Sequence, residues 1–123
     1  MKIKIYYEDT DVGGIVYHSK YLNFCERARS EIFFSQGHNP IENDFHFVVK
    51  SINANFISSA KLGDDLFVKT KVKEIKKVYL TMIQSIFRES DNKKIFEMDV
   101  KLVCLNRTKI SKIPNSFFKL LAI

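Results

Sequence analysis

Between residues 20 and 36 the apolar positions recur with a helical period. Tyr21, Cys25, Ala28 and Ile32 fall on one stripe, widened by Leu22, Phe24 and Phe33, while Asn23, Arg27, Ser30 and Glu31 fall on the other side. The spacing predicts one long helix from about Lys20 to Gln36. Ser19 offers a hydroxyl as its N-cap, and Gly37 can take the left-handed conformation that ends helices. Past Pro40 the period drops to two, and runs at about 45–57, 66–75, 78–88 and 94–105 read as strands. In the second of these, Leu66, Val68 and Val72 oppose Lys69, Lys71 and Lys73; in the last, Phe96, Met98, Val100, Leu102 and Cys104 alternate with Glu97, Asp99 and Lys101. One face of the sheet is therefore buried and the other wet. The 45–57 run changes phase, from Phe45, Phe47 and Val49 to Ile52, Ala54 and Phe56, which calls for a bulge or bend near Lys50. Residues 2–7 read as a further short strand, a Gly-containing loop from Glu8 to about Ser19 leads into the helix, and the apolar tail Phe117, Phe118, Leu120, Leu121 suits one or two helical turns.

One long helix followed by antiparallel strands is an α+β arrangement, and the helix stripe needs the apolar face of the sheet to cover it. A sheet wrapped around a single helix satisfies both. Such a wrap leaves edge strands open, which favours pairing with a second copy. No repeat, low-complexity tract or Pro/Gly-rich linker breaks the chain, so residues 1–123 are expected to form one unit, long enough to bury roughly two thirds of its unfolded surface.

Composition narrows the setting. Cys25 and Cys104 sit among apolar neighbours with no disulfide framework, which points to a reducing cytoplasm. The first residues alternate charged and apolar side chains, and no stretch approaches the length of an uncharged membrane span, so neither a signal peptide nor a transmembrane helix is expected. The formal charge of +6 is compatible with an anionic partner, and equally with a protein that is simply basic. His18, His38 and His46 lack zinc-ligand spacing and the acidic residues lack the alternation of a calcium loop, so no metal is expected. Lys69, Lys71 and Lys73 suit nucleic acid in principle, but no exposed aromatic platform is legible beside them, and the wet face of a sheet accounts for them.

The stretch YYEDTDVGGIVYHSKY at residues 6–21 is the passage least explained by folding alone. Glu8, Asp9 and Asp11 crowd together, and like charges this close require compensation of at least one. Gly13 and Gly14 then permit unusual dihedrals or close approach of a ligand, and the helix that follows presents unpaired amides and the positive end of its dipole. Carboxylate, close approach and amide donors are the parts of an acyl-transfer site; a surface turn built from acidic and Gly residues contains the same residue types.

This passage, from Tyr6 through the ERARSE segment at residues 26–31, together with the order of strands and the Ile113, Pro114 tail, resembles the YbgC-like branch of the 4-hydroxybenzoyl-CoA thioesterase group. The resemblance implies a hotdog fold, an antiparallel sheet wrapped around one central helix, in homodimers or homotetramers with sites at subunit interfaces. It implies hydrolysis of an acyl-coenzyme A thioester to free acid and coenzyme A, with no cofactor beyond the coenzyme A of the substrate. The catalytic carboxylate of the family falls on Asp11, with Asp9 the other member of the pair, and the amide that polarises the thioester carbonyl falls on His18. Tyr7 is a candidate donor near the carboxylate, and Gly14, Lys61, Lys76 and Lys77 are candidate contacts to substrate, the lysines through phosphates. Ser58, Ser59 and Ala60 stand where relatives often carry Pro before Ala. The rival readings are a hotdog dehydratase, whose His and carboxylate follow another local pattern, and a non-catalytic adaptor or RNA-binding hotdog protein.

Overall fold

Tyr21, Phe24, Cys25, Ala28 and Phe33 are the buried residues of helix α1, which spans His18–Phe34 in the computed structural model; the structure describes residues 1–122. The stripe they form lies against the apolar face of a six-stranded antiparallel sheet. Its strands are β1 (Lys2–Lys4), β2 (Phe45–Phe56), β3 (Asp65–Ile75), β4 (Tyr79–Arg88), β5 (Lys94–Asn106) and β6 (Lys109–Ile110). Their spatial order is β1-β3-β4-β5-β2, with β6 paired to β5. This is the expected α+β arrangement of a sheet and one long helix. Register shifts at Val49/Ser51, Val72/Glu74 and Ile86/Phe87 let the sheet curl, because each adds local twist where one strand gains a residue on its neighbour. The first of these is the predicted phase change at Lys50.

The alternation expected of β5 holds: Phe96, Met98, Val100, Leu102 and Cys104 are buried against the helix. A short second helix, α2 (Asn115–Leu120), follows Pro114 and closes one end of the core, with the Phe117 ring 5.4 Å from Phe33 and 5.6 Å from Phe47. Gln84 on β4 is completely buried and fully bonded. Its Nε2 donates to the Cys25 carbonyl (2.8 Å) and to Thr70 Oγ1 (3.0 Å), and its Oε1 accepts from Arg29 (2.8 Å), so one polar network ties α1 to β3 and β4.

Two boundaries differ from expectation. The first strand stops at Lys4, because the Asp9 carboxylate accepts from the Tyr6 N–H (3.0 Å) and folds Tyr7–Asp9 into a 3₁₀ turn. The helix begins at His18, and Ser19 lies inside its first turn instead of capping it. Tyr17 is the flanking residue, held by its N–H to the Asp9 carbonyl (2.9 Å), and its own carbonyl accepts from Lys20 (2.9 Å). Gly37 does take the left-handed conformation (φ +77°) just past the helix.

The outer face of the sheet also carries something not legible in the sequence. Phe67 and Phe87 stack 5.2 Å apart across β3 and β4, Lys69 lies over both rings, and Lys101 sits 4.1 Å from the Tyr79 ring centre. The rings are partly covered by these lysines, and Lys73 and Lys94 pair with Asp99 and Glu97, so the face is mixed in charge and not a bare stacking platform.

Burial pushes the Cys25 thiol up to about 12 and raises Cys104 as well, leaving both as neutral thiols at physiological pH. Ellman's reagent at pH 8 should therefore titrate neither cysteine in the native protein within minutes, and both once urea unfolds it.

Candidate active site

Residues 9–17 close into a compact loop through backbone bonds. The Asp11 N–H donates to the Ile15 carbonyl (2.9 Å), the Gly14 N–H to the Asp11 carbonyl (3.0 Å), and the Tyr17 N–H to the Asp9 carbonyl. Thr10 and Val16 form an isolated bridge across it. Gly14 turns the chain at φ +77°, a conformation that side-chain-bearing residues rarely adopt. At Gly13 a different constraint applies: its N–H donates to Asp11 Oδ1 (2.8 Å), and an added Cβ would lie 3.3 Å from that same oxygen. Glycine keeps the carboxylate uncrowded.

The neighbouring aspartates have opposite surroundings. Asp9 is only 6% exposed, and Lys20 Nζ lies 3.2 Å from its Oδ1 while the Tyr6 N–H binds its Oδ2. This is the compensation that the crowding of carboxylates demands. Asp11 is exposed, and the Gly13 N–H is the one hydrogen bond its side chain makes with the described residues.

His18 is the first residue of α1, and neither its N–H nor that of Ser19 bonds to any described residue. These are orphan donors at the positive end of the helix dipole. The His18 ring is exposed, 4.5 Å from the Tyr17 ring and edge-on to Phe56 at 6.2 Å. The connection from β2 to β3 packs beside this loop. Ala60 is buried, its carbonyl accepting from the Val16 N–H (2.9 Å) and its N–H donating to the Tyr21 hydroxyl oxygen (3.1 Å). The departure at Ser59 leaves these backbone bonds of Ala60 in place.

Of the remaining predicted residues, Gly14 and Lys61 lie at this loop. Lys61 is exposed and bridges to Ile15, and the Gly14 carbonyl accepts from Leu62 (3.3 Å). Tyr7 is 82% exposed, and its hydroxyl makes no hydrogen bond to Asp11. Lys76 and Lys77 occupy the β3–β4 turn, at the far end of β3 from this connection, with Lys76 paired to Glu74 (3.1 Å). One chain does not bring them to Asp11. Sequence reasoning missed Lys20 as the partner of Asp9 and Phe56 as the neighbour of His18, since neither has a local spacing signal.

The thioesterase superfamily matches residues 13–95. An acyl-CoA thioesterase YbgC from Helicobacter pylori is 40% identical, covering 99% of this chain and 98% of the relative, and one from Haemophilus influenzae is 36% identical, covering 90% and 83%. A 1,4-dihydroxy-2-naphthoyl-CoA thioesterase from Synechocystis, 19% identical, superposes with a TM-score of 0.90 over 98% of this chain and 93% of its own, which shows the shared hotdog fold. The chain belongs to the thioesterase superfamily and, within it, to the acyl-CoA thioesterases of the YbgC type.

Because Asp9 joins the 3₁₀ turn to Lys20, Asp9→Ala is expected to lower the unfolding free energy by about 2 kcal/mol, read as a reduced urea midpoint. Asp11→Ala should leave the midpoint within about 0.5 kcal/mol, as for an exposed side chain with one local bond.

Proposed function

We propose that the chain hydrolyses acyl-coenzyme A thioesters, with Asp11 as the acting carboxylate and the His18 N–H as donor to the thioester carbonyl oxygen. The observation that carries this reading is the loop itself: an exposed carboxylate, kept uncrowded by Gly13, on the same short segment that ends at free amides of α1. A carbonyl oxygen at those amides gains stabilisation as negative charge develops on it. Asp11 then either attacks the carbonyl carbon, expelling the coenzyme A thiolate and leaving a mixed anhydride for water to open, or removes a proton from the attacking water. Both routes end in free acid and coenzyme A, and both need the anionic carboxylate. Coenzyme A is part of the substrate, and no other cofactor takes part. Gly14 and Lys61 border the substrate in this reading, and the exposed Tyr7 hydroxyl makes no bond to Asp11 that would support it as a donor there. Lys76 and Lys77, at the far end of β3, take no part in a site built by one chain.

A second copy follows from the edge strand. Among the described residues β2 has β5 on one side and no strand on the other, yet Val49, Ile52 and Phe56 are exposed along it. An unpaired edge strand of twelve residues that exposes these apolar side chains is a pairing surface, and antiparallel pairing of β2 with its copy makes a homodimer, which can double into a homotetramer. The free cysteines fit a cytoplasmic setting, and no helix among the described residues is long and apolar enough to cross a membrane.

Asp11→Asn keeps the shape and loses the charge. A thiol-release assay over a panel of acyl-coenzyme A substrates should show turnover falling far more than tenfold while the melting temperature is unchanged; a loss within about tenfold, ~1.4 kcal/mol of transition-state stabilisation, would refute the assignment. Light scattering at micromolar concentration should return dimer or tetramer, and Ile52→Lys on the edge should shift it toward monomer. A wild-type protein that is monomeric under these conditions would remove the pairing argument.

A further inference from the structure

Between α1 and the edge strand β2 lies a cavity of about 460 Å³. Phe33, Phe47, Met82 and Leu102 give it apolar walls, and into it faces one cationic side chain, Arg29. The guanidinium is fixed in place: its Nη1 donates to Gln84 Oε1 at 2.8 Å, and Gln84 is itself held by the Cys25 carbonyl and Thr70. That single bond is all Arg29 makes with described residues, and no ion pair with a described carboxylate neutralises it. Glu26, one turn earlier on the same wall, is the more exposed of the two and forms no ion pair either. Burial holds the Arg29 pKa below its ordinary value, with Glu26 and Cys25 opposing that shift. The remaining donors of a planar fork in an apolar slot match a carboxylate, which can accept two parallel hydrogen bonds from it.

The cavity is badly placed for a thioester bound at the same chain's helix start. His18 and Arg29 are eleven positions apart on α1, about 16 Å along the axis. It is better placed for a partner's. Val48 and Val49 of β2 line the cavity, and Phe56, at the other end of β2, sits beside His18. Antiparallel pairing of β2 about its middle sets the Phe56 end of one copy against the Phe45–Val49 end of the other. We propose that this cavity receives the acyl group of a thioester bound at the partner copy, and that Arg29 selects acyl groups whose far end carries a carboxylate. The proposal rests on the acyl-coenzyme A hydrolase reading above.

The test compares coenzyme A thioesters of dicarboxylic acids (succinic, adipic, suberic) with those of the monocarboxylic acids of equal length, in wild type, Arg29→Met and Arg29→Lys. In wild type, kcat/KM for the best dicarboxylic thioester should exceed that of its monocarboxylic counterpart by about tenfold or more. Arg29→Met should bring that ratio to within about twofold, whatever it does to the two values together, and Arg29→Lys should retain part of the preference. A loss of packing alone would lower both members of a pair together and leave their ratio standing. Equal rates for the two series in wild type, or a ratio untouched by Arg29→Met, overturn the assignment of Arg29 and leave thioester hydrolysis intact. If Arg29→Met does not fold, the wild-type ratio and its response to Arg29→Lys decide. Wild-type protein inert toward the whole panel removes the hydrolase reading, and the selection by Arg29 with it.

Discussion

A helix carrying Tyr21, Phe24, Cys25, Ala28 and Phe33 on one side needs a surface that follows its cylinder, and a flat sheet would meet it along a line. The curl of the sheet is therefore the constraint from which the rest follows. Three register shifts supply it, one in each long strand pairing, and the helix fills the hollow they create. The network of Gln84, Arg29 and Thr70 lies at that contact and forbids sliding, because a displaced helix would strand buried donors and acceptors without partners.

The same packing fixes where α1 starts, and so where its orphan amides point. Asp9 is spent on structure, tied to Lys20 and the Tyr6 amide, and its burial frees Asp11 from any such duty. Two chemically identical side chains two residues apart thus end in different surroundings, decided by which one the 3₁₀ turn folds inward. Gly13 and Gly14 divide the remaining work, one leaving room beside a carboxylate and the other making the turn.

At the sheet's other margin, β2 is an edge strand whose free side no described strand covers. Its exposed apolar side chains, the cavity behind it and the phenylalanine beside His18 all lie along one strand, so any partner that pairs with β2 acts on each of them.

The helix, the long strands, the bulge at Lys50 and the terminal turn were legible in the sequence, because periods of 3.6 and 2 report directly on which side of an element is buried. The loop at residues 6–21 was legible for another reason: it resembles the YbgC-like signature, whereas its crowding of charge and glycine suits a surface turn equally well. What the sequence by itself determined is therefore the α+β class and, through the resemblance, the YbgC-like hotdog family. Only the tertiary structure decided that Asp9 is buried and Asp11 is not, that α1 begins at His18 and not beyond Ser19, and that Arg29 faces a cavity instead of solvent. Each of these depends on a contact that follows no period of 2 or 3.6: Asp9 with Lys20 and Tyr17 with the Asp9 carbonyl close an irregular loop, and Arg29 meets Gln84 across the fold.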